Sequence, residues 1–172
     1  MKNFKGIYAA TIVPLKKDKS IDKHYLNKHL KQIINTKGIK GLLINGHAGE
    51  NFTLSESEQV EVIKIAKKNK TKNTLLVSGL NFEDPIKASK IAINMQNAGA
   101  DAIMIFPLFS WSQGVDENMI INHHKIICSN IKIPVFLYQS SVSSGNLAYT
   151  AKVLKQLINM GYYLILRKKV YH

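Results

Sequence analysis

A single cysteine, Cys128, stands in the 172-residue chain, so no internal disulfide can form. That excludes a small secreted module stapled by disulfides and fits a reducing compartment. Arginine is as scarce: of the 24 basic residues, Arg167 alone is not lysine. Acidic residues number 11, which leaves a net charge of +13. Such a charge could serve a polyanion. The lack of arginine argues against nucleic acid, because the planar guanidinium is the preferred tool for bidentate base and phosphate recognition. No apolar run approaches the roughly 20 residues that a membrane helix needs. The N-terminal run from Ile7 to Leu15 holds Pro14 and leads into Lys16-Lys17-Asp18-Lys19, with no small-residue cleavage site of a signal peptide. A cytoplasmic protein without membrane contact is the expectation. Metal-ligand spacing is missing too. Of the six histidines, His123 and His124 are adjacent, so on a helix they point about 100° apart and do not share an ion. They are expected on a solvated helix surface.

What is present is enough apolar material for a core: 45% of residues are hydrophobic and 20% charged, a globular composition for which one domain is the length prior. Short β-like runs alternate with helix-like segments. The runs are Gly6–Val13, Gly41–Asn45, Thr74–Ser78, Ala102–Phe106, Pro134–Tyr138 and Tyr162–Leu166. Between them, apolar residues fall near helical spacing: Leu26, Leu30 and Ile33; Val60, Ile63 and Ala66, widened by Val62 and Ile65; Ile86, Ile91 and Met95; Ile120 and Ile127; Val153, Leu154 and Leu157. Strand starts recur at about the length of one βα unit. Ser55-Glu56-Ser57-Glu58 reads as a capping box. Asp22 and Asp84-Pro85 mark two further helix starts, and Gly38 and Gly99 stand where C-caps belong. Continuous apolar strands suit a parallel sheet buried on both faces. Two architectures remain, an open doubly wound sheet or a (β/α)8 barrel. The turn after the first strand, Val13-Pro14-Leu15-Lys16, is no G-x-G-x-x-G, which favours the barrel.

In βα proteins the chemistry sits at the C-terminal ends of strands. After the second strand comes Gly46-His47-Ala48-Gly49-Glu50, where backbone N–H groups could face a carboxylate or the loop could be an ordinary turn. After the fourth comes Phe106-Pro107-Leu108-Phe109-Ser110-Trp111, a pocket wall or a packed rim. The fifth ends at Tyr138-Gln139-Ser140-Ser141. A tyrosine there could relay a proton or be structural.

Together these residues resemble one family. Gly46 to Glu50 followed by Thr53-Leu54-Ser55 and Glu58 is similar to the G-x-x-G-E…T-L-s-x-x-E signature of the dihydrodipicolinate synthase / N-acetylneuraminate lyase family. Gly99-Ala100-Asp101-Ala102, Pro107, Ile133-Pro134-Val135 with Tyr138, and Gly145-Asn146-Leu147 follow in the same order. The resemblance implies an α/β fold, here an incomplete (β/α)8 TIM barrel of about six strands and five helices, forming one truncated domain over 1–172 with the register of 161–172 left open. It implies a homotetramer, no metal and no organic cofactor. It implies a lysine Schiff base with pyruvate or a related 2-keto acid, in which the imine acts as an electron sink for making or breaking a carbon–carbon bond.

Carried over residue by residue, the resemblance makes Tyr138 the proton relay and Gly46, His47 and Ala48 the carboxylate-binding stretch. His47 and Ala48 replace the usual Ser or Thr hydroxyls. Phe109 stands where the synthases place a tyrosine, Ser143 where they carry an arginine, and Val13 in place of the threonine before Pro14. These changes argue against the synthase itself. The family spacing puts the Schiff-base lysine near Leu166; Lys168 is the candidate if the register slips by two, which keeps it on the same strand face. The tail is explained by a frameshift near Met160, the favoured account, or by a real, shortened protein; the alternative to an active enzyme is then an inactive truncated homologue. Six strands of eight would leave open edges, so a marginal or aggregation-prone chain is expected.

Overall fold

The computed structural model describes residues 2–165, which fall into two compact units: 2–79 with 94–102, and 80–93 with 103–165. Each unit alternates strand and helix. The first holds β1 (Ile7–Ala10), α1 (Lys23–Ile34), β2 (Ile39–Ile44), α2 (Glu56–Asn69) and all but the last residue of β3 (Leu75–Leu80). Helix α3 (Pro85–Ala98) has its first turns in the second unit and its last residues in the first. The second unit continues with all but the first residue of β4 (Ala102–Ile105), then α4 (Glu117–Cys128), β5 (Val135–Tyr138), α5 (Ala151–Asn159) and β6 (Tyr163–Ile165).

Neighbouring strands within each unit are parallel. In the first, β1 pairs β2 and β2 pairs β3, with Leu42 opposite Leu76. In the second, β4 pairs β5 and β5 pairs β6, with Tyr138 opposite Ile165. Every residue of β3 and β4 is buried, as continuous apolar strands under helices require. Leu42, Ile44 and Leu76 of the strands and Leu26, Leu30, Ile63 and Ala66 of the helices are buried in the first unit; Ile103, Ile105 and Leu137 with Ile127, Val153 and Leu157 are buried in the second.

The helix starts follow the punctuation. Asp22 accepts from the Tyr25 N–H, Asp84 from the Ile86 N–H, and Ser55 with Glu58 forms the reciprocal capping box. Gly99 ends α3 at φ 115°, with the Gly99 and Ala100 N–H groups both donating to the Met95 carbonyl. Gly38 does not cap α1. That helix closes on Asn35, and Gly38, at φ 91°, instead turns the chain into β2. The stripe of α2 is also displaced from the expected one. Gln59, Val62, Ile63 and Ala66 face inward, while Val60 is only partly covered. Positions 59, 62, 63 and 66 are the truer i, i+3, i+4, i+7 set.

Before β4, buried Asp101 fixes the base of the first unit. It accepts from the Leu76 N–H at 2.8 Å and is paired with Lys2 and Lys70. Burial alone would raise its pKa. The lysine and backbone hydrogen bonds outweigh that and hold it below the usual carboxylate value.

Candidate active site

The first unit presents the Gly46–Glu50 segment at the end of β2. His47–Gly49 form one 3-10 turn, in which Gly49 N–H donates to Gly46 C=O and Glu50 N–H to His47 C=O, both at 3.0 Å. The turn thereby consumes two of the N–H groups that the sequence offered to an anion. Both ends of the loop are left-handed, Asn45 at φ 51° and Glu50 at φ 49°, a conformation that non-glycine residues adopt only when their surroundings hold them there. Gly49 is glycine for closeness of approach: a Cβ would meet the Thr11 carbonyl at 3.0 Å and Val13 Cγ2 at 3.4 Å. The second glycine thus lets the loop seat on the end of β1.

His47 is half-buried, and its ring stands edge-on to Phe52 with centroids 6.5 Å apart. Burial lowers its pKa, so near pH 7 it is a neutral imidazole rather than a fixed positive charge. Ala48 is exposed and brings no side-chain donor.

In the second unit, Tyr138 closes β5 with its phenol ring 4.8 Å from that of Phe106. Phe106 is held in turn by its N–H, which donates to the Leu80 carbonyl at 3.1 Å. The residue after Tyr138 is also fixed. Gln139 accepts from the Tyr149 N–H at 3.2 Å and donates to the Tyr149 carbonyl at 3.3 Å, a two-way bond that pins the strand end. Phe109 is half exposed in the turn after β4, where Ser110 bonds Glu83 instead. Ser143 lies in the Val142–Leu147 turn. Lys168 and Leu166 lie outside the described residues.

The adjacent histidines overturn the solvated-surface expectation. His123 is 5% exposed and His124 fully buried. Nδ1 of His124 lies 2.8 Å from the Ile120 carbonyl and must carry the proton there, so Nε2 accepts from the Tyr149 hydroxyl at 3.3 Å. The Tyr162 hydroxyl donates to the His124 carbonyl at 3.1 Å. Burial pushes both imidazoles down to about 4. Burial also pushes the Cys128 thiol up to about 11, against a hydrogen bond from Tyr162, which makes it a poor nucleophile. Among the described residues no three His, Cys, Asp or Glu side chains gather as a metal site, and no helix is long and apolar enough to cross a membrane.

A family model described as the dihydrodipicolinate synthetase family matches residues 3–161. The chain belongs to that family. The 4-hydroxy-tetrahydrodipicolinate synthase of Bdellovibrio bacteriovorus is 30% identical over 159 residues, covering 89% of this chain and 53% of that protein. The 2-dehydro-3-deoxy-phosphogluconate/2-dehydro-3-deoxy-6-phosphogalactonate aldolase of Saccharolobus solfataricus is 31% identical over 153 residues, covering 88% and 49%. Among solved structures, CdNal from Clostridium difficile superposes with a TM-score of 0.83 at 23% identity over 92% of this chain and 53% of that one. That likeness shows the fold, an incomplete (β/α)8 TIM barrel as expected. The chain spans about half the length of the curated relatives it matches.

Membership shifts the weight of the local observations. The Gly46–Glu50 turn and Tyr138 both lie within the residues that the family model matches. Sequence reasoning placed the turn and Tyr138 at strand ends and missed the residues that hold the turn. These are Asn45, Asn51 and the buried Gln59, whose only signal was its place in the better helical stripe.

Proposed function

We propose that the chain belongs to a class I aldolase or lyase acting on pyruvate or a related 2-keto acid through a lysine imine. One observation carries the reading. The family model covers residues 3–161, and within them the Gly46–Glu50 segment folds as a turn at the end of β2, the end of a strand where βα folds place their chemistry. The substrate carboxylate is assigned to the Gly46, His47 and Ala48 stretch of that turn. The Lys168 amine attacks the ketone carbon and water leaves. The resulting iminium then accepts the electron pair when the neighbouring carbon–carbon bond breaks, or releases it when that bond forms. Tyr138 carries the protons to and from the carbinolamine oxygen and the nucleophilic carbon. Neither metal nor organic cofactor is required by this sequence of steps. The active assembly is a homotetramer, checked by light scattering of the purified chain.

Incubation with pyruvate and borohydride tests the chemistry. The expected result is a reduced pyruvyl adduct whose peptide maps to Lys168. No adduct on any lysine refutes the reading. A second reading, an inactive homologue, is favoured by the losses at Val13, Phe109 and Ser143, which remove three polar side chains where the family resemblance expects them. It predicts unmodified protein in the same experiment.

A further inference from the structure

We propose that Gln59 is the positioning residue of the Gly46–Glu50 loop, an inference that rests on the reading of that loop as the carboxylate site. Gln59 is 2% exposed, one turn into α2. Its main-chain carbonyl accepts from Asn45 Nδ2 at 3.0 Å, on the residue just before Gly46. Its side-chain Nε2 donates to the Asn51 carbonyl at 2.8 Å, on the residue just after Glu50, and to the Leu54 carbonyl at 3.3 Å. A single residue therefore holds both flanks of the loop. Asn45 Nδ2 adds a bond to Ser78 Oγ at 3.1 Å, which ties the same knot to β3.

The need for such a hold is visible in the backbone. Asn45 and Glu50 both sit at positive φ, a conformation that costs about 1 kcal/mol or more per non-glycine residue and relaxes unless the surroundings over-determine it. A relaxed loop would lose the fixed backbone course of residues 46–50. Donors fixed before the ligand arrives bind it better than donors that must be ordered on arrival. The knot carries a second mark of specialisation. Asn45 Oδ1, Asn51 Oδ1 and Gln59 Oε1 are buried and meet no donor among the described residues. Three buried acceptors without donors are a burden that a purely structural core position would replace with apolar side chains. The amide nitrogens, which do the tying, are what the position retains.

Two near-isosteric variants of the full chain separate positioning from packing. Gln59→Met removes the donor, and Gln59→Glu sets a carboxylate against the Asn51 and Leu54 carbonyls. Both are expected to speed amide hydrogen exchange at residues 46–51 by tenfold or more, with exchange in the last turns of α2 unchanged. Both should raise the pyruvate concentration needed for half-maximal borohydride trapping by a similar factor, with the yield at saturation retained. Acidification is the discriminating arm. The carboxyl introduced by Gln59→Glu, buried and facing two carbonyls, has a raised pKa, and once protonated it donates again. Loop protection should therefore return as pH falls in Gln59→Glu and not in Gln59→Met. Equal exchange across the whole of α2, or no difference between the variants with pH, overturns the proposal. If the wild-type chain traps no pyruvate while the exchange and pH pattern appears, the clamp stands and the keto-acid reading falls.

Discussion

His124 makes stability below pH 6.5 a direct readout of the second unit's interior. Its imidazole has an ordinary value of 6.5 and a folded value of about 4. The folded pKa is depressed, so the unfolded chain takes up a proton that the folded chain refuses. Stability is fully present above pH 6.5 and is lost as the pH falls towards 4. Between pH 6.5 and 5 the linkage relation gives a loss of about 1.5 kcal/mol from this one residue. That window lies above the carboxylate titrations, so Asp101 contributes little to it. His123 pulls in the same direction, from a ring also pushed down by burial and partly held up by Glu83 and Asp84. Urea unfolding, followed by circular dichroism at pH steps from 7 to 5, measures the slope. His124→Gln keeps a donor and an acceptor near Ile120 and Tyr149 but does not titrate. Its absolute stability is expected to be lower at pH 7, while its loss between pH 6.5 and 5 should shrink by about 1.5 kcal/mol. An unchanged slope in His124→Gln would refute the reasoning, because the proton would then be taken up elsewhere.

Asp101→Asn removes the carboxylate shared by Lys2 and Lys70 and should destabilise the chain by about 2–3 kcal/mol at pH 7. Because the folded Asp101 pKa is depressed, the wild-type advantage should fade as pH drops below about 4, seen as converging denaturation midpoints. Gly49→Ala places a Cβ at 3.0 Å from the Thr11 carbonyl and should cost about 1–3 kcal/mol by overpacking. A thermal midpoint equal to wild type would show that the loop has room to shift.

Much of the architecture was legible because it is written in periodicity and punctuation. Strands β3 to β5 lie where continuous apolar runs put them, and Ser55, Asp22 and Asp84 start helices through bonds that are local in sequence. The ends of β2 and β3 were less legible. Lys40 and Gly79 belong to strands despite poor strand propensity, because parallel partners on the sheet decide the extent of pairing. The paired histidines defeated reasoning from polarity alone, since burial was made possible by Ile120, Tyr149 and Tyr162, partners up to 38 residues away. Of the candidate site, the Gly46–Glu50 loop and Tyr138 stand at the strand ends where the sequence put them, whereas Gln59 showed only its place in the helical stripe, because its bonds run to residues flanking another element.

The bonds from Gln59 have a consequence for any effort to transplant the turn. Residues 46–50 are not a portable cassette. Their two unusual backbone angles are kept by a helix that begins six residues downstream, so the smallest graft that would arrive in working shape runs from Asn45 through Gln59. It also needs a hydroxyl on the adjoining strand to stand in for Ser78.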